Sequence, residues 1–447
     1  MAPAITTLAA AAPGLDSGST AFMLISAALV MVMTPGLAFF YGGMVRVKSV
    51  LNMLMMSFIS LGIISILWTL YGFSLAFDTG SGFMGGTHWF GMQNIGINEL
   101  WPGYGIPVYV FAAFQLMFAI ITPALISGAL ADRVKFTAWS LFITLWATIV
   151  YFPVAHWVWA SDGWLFRKGV IDFAGGTAVH INAGAAALGV ILVIGKRHGF
   201  KRDPMRPHNL PLVMLGCGLL WFGWFGFNAG SWLGSDGVAS VAFTNTQVAT
   251  AAAMIGWLVY ERLRHGSFTT LGAASGAVSG LVAVTPACGS VSPLGAILLG
   301  LVTGAVCAAA VGLKYRFGYD DSLDVVGVHM VGGIVGSLSI GFLATGGVGQ
   351  SAKGVFYGGG WHQLGLQLLG VGAVLGYSLV CAAILAKLVD LVMGFRVGED
   401  EEIAGVDQAL HAETAYDYTG VGGGARLLGS IGTSSEVAAS SIKKVDV

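Results

Sequence analysis

Two histidines, His180 and His329, stand inside long apolar stretches of the sequence, where an ionisable side chain is expensive and is therefore a candidate for function. A neutral imidazole carries one donor and one acceptor, so two that face each other can share a proton. The plain alternative is that each bonds a backbone carbonyl between helices. Neither has a cysteine or carboxylate at metal-ligand spacing and HExxH is absent, so no metal and no cofactor is expected. Asp172, followed by Gly175 and Gly176, reads mainly as a structural and electrostatic group, either capping a helix or presenting a fixed negative charge to a cation. Asp324, near the start of the stretch that holds His329, reads as a cap as well. Among the aromatics, Phe114 and Phe118 are spaced i, i+4, and Trp224, Phe227 and Ser231 are spaced i, i+3, i+7. Trp159 closes a further apolar stretch. Aromatic faces attract a desolvating cation by about 0.5–2 kcal/mol and a serine hydroxyl adds an acceptor. Core packing explains the same spacings. No Walker A or GxSxG sequence in a plausible setting suggests an enzyme.

The elements that must carry these residues are membrane helices. Of 447 residues, 56% are hydrophobic and 10% charged, against about 25% charged in soluble domains. Mean hydropathy is +0.79. Continuous apolar runs exclude a soluble enzyme, a disordered chain and an alternating membrane barrel. A net charge of −1 gives no reason to expect nucleic acid. Spans are predicted near 20–43, 50–77, 106–130, 136–158, 174–195, 210–233, 243–261, 269–289, 293–313, 324–345 and 363–393, each long enough for a bilayer needing about 20 helical residues. With the N-terminus outside, all but Arg167, Lys168 and Lys353 of the 21 Lys and Arg fall on inner connections or the tail. The expected topology is N-terminus out, C-terminus cytoplasmic. The 67 glycines read as close helix approach. Cys217, Cys288, Cys307 and Cys381 read as inert buried thiols.

Eleven spans divide into two halves of five plus one. Five is odd, so the halves run in opposite directions, an inverted repeat. The pseudo-repeats cover about 20–200 and 209–345, and the last helix 363–393. Each half's last helix carries an acid near its start and a histidine inside. Residues 1–19 read as an external N-terminal segment, 20–397 as the transmembrane domain and 398–447 as a tail. For 398–420 a solvated tail and a docking segment both fit; the Gly/Ser-rich remainder reads as disordered.

These residues resemble the ammonium transporter (Amt/Mep/Rh) family, on its prokaryotic Amt/Mep side. The resemblance is carried by 172–184 (DFAGGTAVHINAG), 225–231 (FGFNAGS), 320–333 (DDSLDVVGVHMVGG), 34–43 (TPGLAFFYGG) and 114–122 (FQLMFAIIT), and it spans about 20–420. It implies that Trp159, Phe118 and Ser231 recruit ammonium and that Phe118 and Phe227 form a gate. It further implies that Trp224 lines the pore, that His180 and His329 are a twin-histidine pair, and that Asp172 is needed for transport. Also implied are a homotrimer in the cytoplasmic membrane and a PII-type signalling protein at the cytoplasmic exit, with 395–416 resembling the family's tail. The loop between Trp159 and Asp172 is about one residue longer than is usual in the family. The expected activity is ammonium uptake with deprotonation and passage of ammonia. The rivals are an electroneutral ammonia or carbon dioxide channel, an ammonium sensor acting through PII sequestration, and a secondary transporter for an amine or amino acid.

Overall fold

The computed structural model describes residues 14–203 and 205–416. The first thirteen residues of the N-terminal segment and the Gly/Ser-rich stretch 421–447 lie outside them. Ten described helices are long and apolar enough to cross a membrane: α1 Ser17–Met44, α2 Val47–Phe77, α3 Val108–Leu130, α4 Phe136–Lys168, α5 Gly176–Ile194, α6 Leu210–Gly230, α7 Gly237–His265, α9 Pro293–Phe317, α10 Val326–Leu343 and α11 His362–Met393. A shorter apolar helix, α8 Thr270–Val284, completes the eleven in the expected order. The helix of α4 breaks at 160–163 and resumes for one turn at Trp164–Lys168.

Small residues set the packing. In the α1–α6 contact, a Cβ on Gly216 would lie 2.3 Å from the Phe40 nitrogen. In the α7–α9 contact, one on Gly304 would lie 2.1 Å from the Ala253 carbonyl oxygen. Where α5 crosses α10 the contact is reciprocal. Gly184, four residues after His180, meets Met330, one residue after His329, and a Cβ there would sit 2.6 Å from the Met330 nitrogen. Gly333, four residues after His329, meets Ile181, one residue after His180, at 2.9 Å from its side chain. This reciprocity is the local form of the inverted repeat.

Among the described residues, four segments wind as π-helix: Trp68–Gly72, Ala147–Tyr151, Gly176–Ile181 and Val326–Met330. The last two contain His180 and His329. Such turns are rare and concentrate at functional sites.

The first part of the tail is folded against the helix ends. Past α11, α12 (Glu399–Ala404) and α13 (Val406–His411) pack beside the start of α2. The Asp407 carboxylate accepts from the backbone nitrogens of Leu51 and Asn52 at 2.9 and 2.8 Å, capping α2 from 355 residues away. The His411 ring meets the Asn52 side-chain oxygen at 3.0 Å. Arg396 pairs with Glu402 at 2.6 Å. Residues 398–416 thus lie folded against the helix ends. At the same end a buried ionic cluster joins distant connections. Arg197 grips Asp320 through two nitrogens at 2.8 and 2.9 Å and reaches Asp132 at 3.2 Å. Arg133, fully buried, adds a contact to Asp320 at 3.3 Å. Of the cysteines, Cys381 is half-buried on α11 and the other three are buried; all four are unpaired.

Candidate functional site

The site is built from two helix starts. The buried Asp172 carboxylate accepts from the backbone nitrogens of Gly175, Gly176, Thr177 and Ala178 at 2.6–3.0 Å and from the Thr177 hydroxyl. It gathers the free N–H groups that begin α5. Gly175, at φ +117°, makes the turn into the helix, a conformation that favours glycine. Eight residues beyond Asp172, the π-turn delivers His180.

The partner start corrects one sequence expectation. The capping carboxylate of α10 belongs to Asp321, which accepts from Val325 and Val326 nitrogens at 3.0 and 2.8 Å. Asp324 instead takes a left-handed φ of +65° and pairs with Lys314 at 2.6 Å. Asp321 precedes His329 by eight residues, the same offset as Asp172 to His180. Burial pushes the Asp321 carboxyl up to about 6, with the Lys314 charge opposing.

The two helices bring the histidines together. Their Nδ1 atoms lie 3.4 Å apart, with ring centroids at 5.5 Å. A hydrogen bond between two Nδ1 atoms needs one as N–H donor and the other as acceptor, that is, opposite tautomers. The His180 Nε2 is buried and has no partner among the described residues. Trp224 stacks on His180 at 5.4 Å and 20°, and Phe227 follows at 6.1 Å. A narrow cavity of about 10 Å³ lies between these rings and the side chains of Met33, Leu37, Ile121 and Leu125. Its wall is hydrocarbon apart from the imidazoles and the indole.

Above the cavity Phe227 lies against Phe118 at 4.1 Å and 30°, both rings fully buried. Trp159 stands edge-on to Phe118 at 5.9 Å and is half-buried, as is Ser231. The Trp159 indole nitrogen donates to the Asp172 carbonyl at 3.0 Å, which holds the ring. The Ser231 hydroxyl donates to the Phe227 carbonyl at 2.7 Å, which leaves its lone pairs to accept. Phe114 backs Phe118 at 4.9 Å from inside the core. The sequence-predicted residues thus form one column, from the half-buried Trp159 and Ser231 through two stacked phenylalanines to two histidines.

The family model described as the Ammonium Transporter Family matches residues 21–416. The chain belongs to the ammonium transporter family. An ammonium transporter of Mycobacterium tuberculosis is 55% identical over 433 residues, covering 90% of this chain and 91% of its own. One of Bacillus subtilis is 46% identical over 404 residues, covering 90% and 99%. Among solved structures, Candida albicans Mep2 superposes with a TM-score of 0.81 at 33% identity, covering 87% of this chain and 88% of that one. The structure of a Sensor Amt Protein superposes at 0.80 with 28% identity, covering 88% and 98%.

Within this ammonium transporter family member, three features escaped the sequence reading. His156 lies deep in α4, and its ring nitrogens meet the carbonyls of Ala76 at 3.0 Å and Ser81 at 2.7 Å. Its bonds go to the end of α2 and to the loop that follows it, which makes it an anchor; its place two residues from a span end hid it. Trp232 stacks on Phe173 at 6.4 Å and 2°, beside the vestibule. At the tail end a second cavity of about 450 Å³ is lined by Phe200, Lys201, Arg202, Tyr315, Lys314 and Asp324, among others. Its basic residues were read only as markers of orientation.

Proposed function

We propose that ammonium binds between Trp159, Phe118 and Ser231, gives up its proton there, and crosses past Phe118 and Phe227 as ammonia along His180 and His329. The single observation that carries this reading is the imidazole pair, bonded Nδ1 to Nδ1, in an otherwise hydrocarbon cavity. Carrying the intact cation through such a cavity would cost several kcal/mol or more. Ammonia pays far less, and it can both donate to and accept from the opposite tautomers of the pair. Potassium resembles ammonium in size and charge but has no proton to shed, so it stops at the phenylalanines.

Asp172 acts here as the fixed start of α5. Its two oxygens already accept five hydrogen bonds, so it holds Trp159 and aims His180 while its charge favours a cation nearby. The released proton crosses separately along the histidines, giving net charge movement. By family likeness the chain works as a homotrimer in the cytoplasmic membrane, N-terminus out and tail in. A PII-type protein then docks over the inner cavity, whose rim exposes Lys201 and Arg202.

Current across a solid-supported membrane tests the mechanism. A sustained current after an ammonium pulse, absent with potassium and altered in selectivity by His180→Ala/His329→Ala, is the expected result. Ammonia equilibration without current would replace it with an electroneutral channel. Unchanged transport and selectivity in the double variant would remove the histidines from the path.

A further inference from the structure

Behind the pore wall a polar chain runs back from the Trp224 indole, away from the cavity. The Trp224 indole nitrogen donates to the Thr285 hydroxyl at 2.9 Å. That hydroxyl donates in turn to the Leu281 carbonyl at 2.7 Å, with the Asn228 side-chain oxygen at 3.2 Å. The Asn228 amide donates to the Thr246 hydroxyl at 2.9 Å, which donates to the Ala242 carbonyl at 2.7 Å. Trp224, Thr285, Asn228 and Thr246 are all buried, and they come from α6, α7 and the end of α8.

We infer that Thr285 is a positioning residue for transport: its hydroxyl turns the Trp224 N–H out of the pore and lays the indole face against His180. The inference rests on the proposed path along the histidines. Its logic is chemical. Ammonia is a strong hydrogen-bond acceptor, and an indole N–H is a donor only. If the N–H faced the cavity it would bind ammonia or water beside His180 and slow passage. With its proton spent on Thr285, the indole offers ammonia a face and no donor. The stacking of 5.4 Å and 20° between indole and imidazole is the geometry this bond maintains. The Thr285 oxygen can accept because its own proton is already committed to Leu281, so the bond has a fixed direction.

The test is a double-mutant cycle in proteoliposomes, reading ammonium flux and the ratio of ammonium to methylammonium flux. Thr285→Val removes the acceptor at nearly constant volume and should lower ammonium flux by roughly fivefold, the scale of one lost buried hydrogen bond. It should also change the substrate ratio, and Thr285→Ser should restore most of the flux. In a Trp224→Phe background, which has no N–H to orient, adding Thr285→Val should cost nothing further. A merely structural Thr285 would give the same loss in both backgrounds, and that result would overturn the inference. So would Thr285→Val with wild-type flux and ratio. A wild type that moved no ammonium would overturn this inference together with the transport reading, which distinguishes that failure from a failure here alone.

Discussion

The starts of α5 and α10 do the same geometric work with different chemistry. At each, a buried aspartate caps a helix whose π-turn presents a histidine eight residues on. Asp172 is saturated by five donors, and it also supplies the carbonyl that fixes Trp159. Asp321 receives two backbone donors and lies among Lys314, Asp324 and a cavity of about 450 Å³. The first start is a closed knot that sets the floor of an aromatic vestibule. The second is an ionic junction. An inverted repeat can therefore preserve the placing of a side chain while its two ends are specialised separately.

The largest effect expected from breaking this contrast is that of Asp172→Ala. It strands five donors, at about 1–3 kcal/mol for each buried group that cannot relax. The variant should lose monodispersity and flux together, whereas Asp172→Asn, which keeps an acceptor, should fold with reduced flux. Asp321→Ala strands two donors and should cost about half as much, read as a smaller fall in the thermal midpoint. Equal falls for the two alanine variants would erase the distinction between the two starts.

Titration sharpens the contrast further. Because burial holds the Asp321 carboxyl near 6, above the ordinary carboxylate value of about 3.9, the folded protein favours its protonated form. Stability should fall as pH rises from about 4 through 6, and Asp321→Asn should remove that part of the slope. Asp320, only one residue earlier, runs the other way. Burial would raise it, but its bonds to Arg197 and the Arg133 charge hold it below the ordinary value. Its contribution should be complete above about pH 4 and lost only as pH drops through the lowered value, which an Asp320→Asn comparison would read. The smallest effect belongs to Ser231→Ala at the vestibule, where losing one acceptor should raise the half-saturating ammonium concentration about threefold with little change in maximal flux.

Much of this molecule was legible in the sequence because apolar runs and basic connections are local signals. The eleven helices and their order followed from them, and so did the column from Trp159 to His329 once helical spacing was combined with the family likeness. The exchange of Asp321 for Asp324 shows where local signals stop. Residues 320–324 hold three aspartates, and any of them can precede a helix. Only the offset of eight residues shared with Asp172 tells them apart, and that offset runs through a π-turn for which sequence spacing gives no sign. The docked tail was undecidable for another reason. Asp407 finds its amide partners at Leu51 and Asn52, and Arg133 finds Asp320, across separations of 187 residues or more. Polar composition reads the same whether such a segment is solvated or tied down. Thr285 was missed because its partner, an indole nitrogen, is reached only after the chain has folded.

The reciprocal crossing of α5 and α10 has the form of an isologous contact, the kind that joins the two subunits of a twofold dimer. In such a dimer every substitution appears twice, so a cap that improved one mouth would be forced on the other. Here both partners are encoded in one chain, and Gly184 and Gly333 can be changed singly. The protein thus keeps the close fit of a symmetric pair while each side remains free to evolve alone. That freedom is what lets two halves related by a twofold axis carry different groups at their two mouths.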